Sequence, residues 1–270
     1  MPIQVSIVVP TYRRTELLSR CLAALAVQDY DPTAYEVVVA DDGADDETCE
    51  LVECWAAYAC RERGGPQISY LPVSGAHGPA AARNRGWHAA RGAVVAFTDD
   101  DTIPAPDWLR SGVSVFRPGV AAAAGQVVVP MPDEPTDYER NASGLETAEF
   151  ITANCFCRRG ALEAGGGFDE RFTMAWREDS DLFLTLLSKG GEVVFAPDAV
   201  VVHPIRQAEW GVSLKQQKRN LFNALLYKKH PDRYARWVQI SPRGRYYSIV
   251  GALALGLGLS VSGPRLLAPL

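Results

Sequence analysis

Three consecutive aspartates, Asp99 to Asp101, are the residues of this sequence whose type and spacing most directly suggest chemistry. They follow an apolar run at residues 93–97 that is typical of a buried strand, so three carboxylates are predicted to crowd together where that strand ends. Like charges at such short range repel unless a cation shares the site, and Mg²⁺ and Mn²⁺ prefer oxygen ligands of this kind. The alternative is a solvated acidic turn that binds nothing.

A second acidic pair, Asp41-Asp42, is followed by Gly43 and ends another predicted strand. An Asp-Gly sequence is also an ordinary turn, which needs no function. An ionised carboxylate, however, is a strong acceptor for the ring N–H of uracil, thymine or guanine. Asp42 is therefore a candidate for binding a nucleobase, provided that it faces the same crevice as the acidic triplet.

The elements that must position these acids alternate along the first hundred residues. Short apolar runs predict strands at residues 5–9, 36–40, 67–71 and 93–97, and amphipathic stretches predict helices at 16–27, 47–61 and 80–91. This order is typical of an α/β, Rossmann-like, mostly parallel sheet with helices on both faces. Ligands bind beyond the carboxyl ends of such strands, so residues 10–13, 41–46 and 98–102 are expected to converge.

The second half of the chain has a looser pattern. A helix is predicted at residues 108–116, and strands are predicted within 121–129, at 193–196 and at 199–202, with weak alternation at 151–157. The clearest element is an amphipathic helix at 178–189, whose first turn carries acids and whose end is marked by Gly190.

Composition and charge exclude several classes of protein. The chain is 47% apolar and 22% charged, which excludes wholesale disorder. Residues 1–205 carry 16 basic and 30 acidic residues, whereas residues 206–245 carry ten basic and two acidic ones. The acidic body argues against a nucleic-acid partner. Six cysteines without paired spacing, and a start without a basic-then-apolar leader, predict a cytoplasmic protein with buried thiols, Cys155 and Cys157 among them.

Seven segments, taken in order, resemble family 2 glycosyltransferases, which are inverting enzymes with a glycosyltransferase A-type fold. They are Val-Val-Pro-Thr-Tyr-Arg-Arg at 8–14, Val-Ala-Asp-Asp-Gly-Ala at 39–44, Ala-Ala-Arg-Asn-Arg-Gly at 81–86, Phe-Thr-Asp-Asp-Asp at 97–101, Pro-Ala-Pro-Asp-Trp-Leu at 104–109, Gly-Gly-Phe-Asp-Glu-Arg-Phe at 166–172 and Arg-Glu-Asp-Ser-Asp-Leu at 177–182. The resemblance implies a catalytic domain over 1–205, with a nucleotide-binding half at 1–103 and an acceptor half at 104–205.

The resemblance also implies a role for each matching residue. Asp99 and Asp101 are similar to the outer acids of the family's Asp-x-Asp motif and would bind Mn²⁺ or Mg²⁺, with His203 as a third ligand or as a structural histidine. Asp179 is similar to the general base and Glu178 to its positioning neighbour, although acids there also complement a helix dipole. The expected nucleotide-binding residues are Pro10, Thr11, Tyr12, Arg13, Asp41, Asp42, Arg83, Asp99 and Asp100. The other histidines, His77, His88 and His230, are predicted to be surface or packing residues.

Residues 206–270 are predicted to form a C-terminal helical extension that is first basic and then apolar. A helix is expected at 213–229, and residues 246–263 run without a charge. Basic residues among apolar and aromatic ones favour contact with an anionic membrane surface. The uncharged run of 18 residues is also of marginal length for a membrane span, and its glycines weaken a helix. The other alternative is a helix that closes the core or an oligomer interface, and the oligomeric state stays open.

These patterns predict a metal-dependent inverting glycosyltransferase that moves a sugar from a UDP-, dTDP- or GDP-linked donor to a hydroxyl of a glycan or lipid-linked acceptor. A sugar nucleotidyltransferase is the nearest alternative, but it usually carries a Gly-rich loop with Arg and Lys after the first strand, unlike Pro10 to Arg14. A catalytically idle nucleotide-sugar-binding or membrane-scaffold subunit is the second. Retention of the acidic triplet together with Glu178-Asp179 argues against it.

Overall fold

The apolar runs form a single sheet, and the amphipathic stretches form the helices that cover it. The structure is a computed structural model that describes residues 2–209, 211–238 and 244–262. The strands are β1 (Val5–Thr11), β2 (Tyr35–Asp41), β3 (Gln67–Pro72), β4 (Val94–Thr98), β5 (Ile103–Pro104), β6 (Val120–Val128), β7 (Asn154–Arg158) and β8 (Glu192–Val202). The α-helices are α1 (Thr15–Leu25), α2 (Asp46–Arg63), α3 (Pro79–Ala89), α4 (Trp108–Ser114), α5 (Asp137–Ala142), α6 (Arg159–Gly165), α7 (Glu178–Ser188), α8 (Val212–Gln216), α9 (Leu221–Lys229), α10 (Pro231–Trp237) and α11 (Gly244–Ser262).

The order of the strands brings the predicted site residues to one edge of the sheet. The order is β3-β2-β1-β4-β7-β6-β8-β5. Strands β1 to β4 pair in parallel, β7 runs antiparallel to both β4 and β6, and β8 is parallel to β6. The carboxyl ends of β1, β2, β4, β6 and β8 therefore lie along the same edge. This arrangement confirms the predicted α/β, mostly parallel sheet and the predicted convergence of its strand ends.

The core explains why the central strands lack an alternating pattern. Nearly every residue of β1 and β2 is buried, because helices cover both faces of the sheet. Leu18, Leu22 and Leu25 of α1 join the main cluster of apolar side chains, as does Trp108 of α4. All six cysteines are free, and Cys21, Cys155 and Cys157 are buried. The prediction of buried thiols is wrong for Cys54 and Cys60, which are exposed on α2, and Cys49 is only partly buried.

Helix α3 lies unusually close to β1. Gly86 faces Val8, and a Cβ atom on Gly86 would lie 2.3 Å from Cγ1 of Val8. The helix starts after Gly78, which has φ +106 and whose own Cβ would lie 2.7 Å from the carbonyl oxygen of Thr173. The two glycines let α3 pack directly on the sheet, which brings Arg83, one turn before Gly86, to the edge where the strands end.

Three predicted elements, two strands and a helix, differ from those observed. The strands expected at 193–196 and 199–202 form one strand, β8, which has an irregular register with β6 between Gly125 and Gln126. The helix expected over 213–229 consists of α8, a 3₁₀ turn at Gln217–Asn220 and α9. A stripe of apolar residues at helical spacing does not distinguish one helix from three short helical pieces in succession.

The chain divides into two compact units, Met1–Lys229 and His230–Leu270. The predicted boundary after residue 205 stays a prediction. In the second unit, α11 covers most of the predicted uncharged run, whose last residue, 263, lies outside the described residues. Among the residues described, no helix combines the length and the apolar character that a membrane crossing requires.

Candidate active site

The three aspartates after β4 make three different sets of contacts. Asp100 is 2% exposed and accepts hydrogen bonds from Thr11 Oγ1 at 2.8 Å and from the Arg14 guanidinium at 3.0 Å. Burial raises the pKa of Asp100 to about 6, against the opposing charge of Arg14. The middle acid of the triplet thus ties the end of β4 to the end of β1.

Asp99 and Asp101 form a cluster with His203, which follows β8. One ligand atom from each residue lies within 4.8 Å of the other two. The Nε2 atom of His203 is 3.5 Å from Oδ1 of Asp101, and Nε of Arg206 is 3.1 Å from Oδ2 of the same residue. Two carboxylates and an imidazole are a donor set that suits a divalent cation. These three side chains could therefore hold a single metal ion.

Arg83 joins the acidic triplet to the start of α7. Its side chain is 3% exposed, with one guanidinium nitrogen 2.6 Å from Oδ1 of Asp99 and the other 3.2 Å from Oε1 of Glu178. Burial alone would lower the pKa of Arg83, but the charges of Asp99 and Glu178 outweigh it and raise that pKa. Nε of Arg83 and Oε2 of Glu178 are buried and have no hydrogen-bond partner among the residues that the structure describes. The two ends of the predicted site thus meet in one buried network.

Glu178 and Asp179 occupy the first turn of α7, where the helix dipole favours negative charge. Burial, together with the charge of Asp179, raises the pKa of Glu178 to about 7. Burial also raises the pKa of Asp179, although its Oδ1 accepts a 2.6 Å hydrogen bond from the backbone N–H of Ser180. The helix follows Arg177, a non-glycine residue in the left-handed region with φ 75.

The acidic pair after β2 divides into an inner and an outer residue. Asp41 is fully buried and accepts hydrogen bonds from the backbone N–H groups of Gly43 and Asp45 and from the hydroxyl of Tyr70. Asp42 is partly exposed, and its two oxygens lie 2.9 Å from Nδ1 of His77 and 2.9 Å from the backbone nitrogen of Gly78. Asp41 therefore holds the loop, while Asp42 lies at its rim.

The end of β1 supplies the remaining predicted residues. Pro10 and Thr11 are the last residues of β1, and Thr11 contacts Asp100 as described above. Tyr12 is half exposed, and the guanidinium of Arg13 lies 5.3 Å from the centre of its ring. Arg13 has φ 51, so the chain turns sharply directly after the strand.

Four residues that sequence reasoning did not single out as functional make polar contacts at the site. They are Arg14 with Asp100, Arg206 with Asp101, His77 with Asp42, and Asn223 with Trp176 and Arg177. Of these residues, Arg206 is the one whose position indicates a role at the site, because it lies three residues after the candidate ligand His203. No feature of the neighbouring sequence indicates a role for Asn223, which lies more than 40 positions after the residues that it contacts.

Comparison with known proteins identifies the family of this chain. The sequence profile described as Glycosyl transferase family 2 matches residues 6–172, and that of Glycosyl transferase family group 2 matches residues 94–268. The chain belongs to the family 2 glycosyltransferases. A relative within this group, glycosyltransferase AglE of Haloferax volcanii, is 32% identical over 228 residues, which are 80% of this chain and 71% of AglE.

Other glycosyltransferases match over larger or smaller shares of their length. The pre-mycofactocin glycosyltransferase of Mycobacterium tuberculosis is 30% identical over 94% of this chain, which spans about half (54%) of that relative. Among solved structures, mannosyltransferase PcManGT from Pyrobaculum calidifontis in complex with GDP-Man and Mn²⁺ has a TM-score of 0.63 at 21% identity, covering 97% of this chain and 82% of PcManGT. Residues 1–349 of S. aureus TarS in complex with UDP-GlcNAc have a TM-score of 0.58 at 20% identity, covering 77% and 60%. The chain has the glycosyltransferase A-type fold.

Proposed function

We propose that this chain is a metal-dependent inverting glycosyltransferase that moves a sugar from a nucleoside-diphosphate donor to a hydroxyl group of a glycan or lipid-linked acceptor. The observation that carries the proposal is the buried guanidinium of Arg83, which contacts both Asp99 and Glu178. Carboxylates about 80 residues apart in the chain thereby share one site, as transfer between two substrates requires. Membership of family 2 favours transfer over nucleotidyl transfer or an idle binding subunit.

The donor nucleotide would lie along the edge formed by the ends of β1, β2 and β4. Asp42 at the rim would accept the ring N–H of the base, and the half-exposed ring of Tyr12 offers an apolar face beside Pro10 and Arg13. Asp41, Asp100 and Thr11 support the same surface from within, because their side chains hold the loop and the two strand ends together.

Asp99, Asp101 and His203 would hold Mn²⁺ or Mg²⁺. When bound, such an ion supplies positive charge that stabilises the diphosphate as it leaves. The guanidinium groups of Arg83 and Arg206 are the protein's own cations beside Asp99 and Asp101.

Asp179 would act as the general base. Its carboxylate takes the proton of the acceptor hydroxyl while the hydroxyl oxygen forms a bond to C1 of the sugar, and the bond from C1 to the diphosphate oxygen breaks with its electron pair leaving on the diphosphate. A single displacement of this kind inverts the configuration at C1. The raised pKa of Asp179 makes it a stronger base than a solvent-exposed aspartate, and Arg83 fixes the neighbouring Glu178.

Calorimetric titration with UDP, dTDP and GDP, each with and without Mn²⁺, tests the donor and metal sites together. We expect one nucleotide to bind in a Mn²⁺-dependent manner, and we expect Asp101→Asn to remove that dependence because it takes one carboxylate from the cluster. Titration with Mn²⁺ alone should show the same loss of binding.

Asp133→Asn is the matched control, because it removes an exposed aspartate from the loop between β6 and α5. It should bind nucleotide and Mn²⁺ as the unaltered protein does. Mn²⁺-dependent binding that persists in Asp101→Asn would contradict the ligand role, and an unaltered protein that binds none of the three nucleotides would contradict the proposed function.

We also propose that α11 binds the surface of a membrane on its cytoplasmic face. Its exposed apolar side chains are those of Ile249, Val250, Leu253, Leu255, Leu257 and Leu259. Burying these side chains in the interface of a bilayer removes them from water. The full-length protein should co-sediment with vesicles of anionic lipid, and Leu253→Gln combined with Leu257→Gln should weaken that association. Equal co-sedimentation of both proteins would contradict this proposal.

A further inference from the structure

The chain makes a corner at Trp176-Arg177, directly before α7, and a residue from a helix later in the sequence holds it. Arg177 lies in the left-handed region with φ 75, a conformation that a non-glycine side chain adopts only where its surroundings hold it. The next two residues are Glu178 and Asp179, so the backbone angle of Arg177 sets the direction in which both carboxylates leave the chain.

The residue that holds this corner is Asn223 of α9. Its Oδ1 accepts hydrogen bonds from Nε of Arg177 at 2.8 Å and from Nε1 of Trp176 at 3.3 Å. Its Nδ2 donates to Oδ1 of Asn220 at 3.0 Å, which fixes the amide with its oxygen towards the corner. The guanidinium of Arg177 also lies 4.9 Å from the centre of the Trp176 ring. A single amide oxygen thus joins the two side chains that precede the carboxylate pair.

Helix α9 is itself anchored beside α7. The ammonium of Lys229 is within hydrogen-bond distance of Asp169, at 2.6 Å, and of Asp181, at 2.8 Å. The Asp181 side chain is nearly fully buried. Hydrogen bonds from Arg171 and Lys229, with the charge of Lys229, hold the pKa of Asp169 well below its usual range. This ion pair fixes the C-terminal end of α9 against the first turn of α7, the same turn that carries Asp179.

A ring contact fixes the other end of α9. Phe222, next to Asn223, has its ring centre 5.7 Å from that of Phe172, and both rings are buried. Phe172 belongs to the loop that leads from α6 to α7. The position of Asn223 is therefore determined by packing on one side and by the ion pair of Lys229 on the other.

We propose that Asn223 is a positioning residue for the carboxylate pair Glu178-Asp179, and that α9 clamps the corner at Trp176-Arg177 through it. The inference rests on the proposed function, because it assumes that Asp179 is the base. A base must be aligned closely with the proton it takes, and a displacement of about 1 Å costs roughly 100-fold in rate. The hydrogen bonds of Asn223 go to Trp176, Arg177 and Asn220, none of which is proposed to bind the nucleotide, so donor affinity should not depend on it.

The test compares Asn223→Ala with Asn223→Asp in the full-length protein. The probe is release of nucleoside diphosphate by hydrolysis of UDP-N-acetylglucosamine, dTDP-glucose or GDP-mannose, whichever nucleotide the calorimetric titration selects. Asn223→Ala should lower kcat about 10- to 100-fold with the donor dissociation constant unchanged. Asn223→Asp keeps an oxygen opposite Arg177 and Trp176 and should restore most of kcat. Asn141→Ala, which removes an exposed amide from α5, is the control.

A second measurement does not depend on turnover. Hydrogen–deuterium exchange of the backbone amides at residues 177–181 should become faster in Asn223→Ala and return towards the original rate in Asn223→Asp. An unchanged kcat, a parallel loss of donor binding, or unchanged exchange in Asn223→Ala would overturn the proposal. If the unaltered protein neither binds nor hydrolyses any of the donors, the proposed function fails on its own, and the exchange measurement still decides whether Asn223 holds the corner.

Discussion

Replacing Asp179 with asparagine is expected to lower turnover about 10²- to 10⁴-fold while leaving donor binding intact. The amide has nearly the same shape as the carboxylate and can still accept the hydrogen bond from the backbone N–H of Ser180, but it cannot take a proton. The residues proposed to bind the nucleotide and the metal do not include Asp179. The loss should therefore appear in kcat and not in the donor dissociation constant.

Two measurements check this expectation: hydrolysis of the donor that calorimetry selects, and calorimetric binding of its nucleoside diphosphate with Mn²⁺. Glu163→Gln, which removes an exposed carboxylate from α6, is the matched control and should retain full turnover. A loss of turnover that is accompanied by an equal loss of nucleotide binding would show that Asp179 supports the structure of the site and is not its base.

Replacing Arg83 with methionine is expected to lower the free energy of unfolding by about 3–5 kcal/mol. The substitution keeps most of the buried volume of the side chain but leaves Asp99 and Glu178 without their shared counter-ion. Urea denaturation in the presence of a chelator measures the effect of the protein's own charges alone. Arg85→Met provides the comparison on the same helix, because Arg85 is 40% exposed and its ion pair with Glu170 spans 3.5 Å; its loss should stay below about 1 kcal/mol.

The deficit of Arg83→Met should also depend on pH. The pKa of Glu178 is raised to about 7 by burial and by the charge of Asp179, so Glu178 is protonated at pH 5 and ionised at pH 8. A raised carboxyl pKa means that stability is lost as pH rises from the unfolded value towards the folded one, and removal of the counter-ion enlarges that loss. The difference between the variant and the unaltered protein should therefore be larger at pH 8 than at pH 5. Equal losses for Arg83→Met and Arg85→Met at both pH values would contradict the buried network.

The first half of the fold can be predicted from the sequence for a physical reason. Strands such as β1 and β2 are buried on both faces, so their residues are almost all apolar and stand out from the amphipathic helices between them. Once the strands are parallel, their carboxyl ends must share an edge, so the placement of Asp42 and Asp99 along that edge follows from topology alone.

The contacts that distinguish one acidic residue from its neighbours cannot be predicted from the sequence in this way. Nothing local separates Asp100, which turns inward to Thr11 and Arg14, from Asp99 and Asp101 on either side of it. The contact between Asn223 and the corner before α7 depends on the packing of Phe222 on Phe172 and on the ion pair of Lys229. Each of these contacts joins residues that are 46 to 60 positions apart in sequence. Such contacts leave no periodic pattern, because each involves a single side chain.

The ion pair of Lys229 with Asp169 and Asp181 also bears on how the enzyme matures during synthesis. Chains emerge from the ribosome with the N-terminal part first, so the strands and loops through residue 103 are available well before α9 has been made. The loop before α7 leaves the exit tunnel about 50 residues ahead of the lysine that anchors it. In a nascent chain, the loops proposed to bind the nucleotide would therefore form while the pair Glu178-Asp179 is still unanchored. The proposed ability to activate an acceptor would be the last to form.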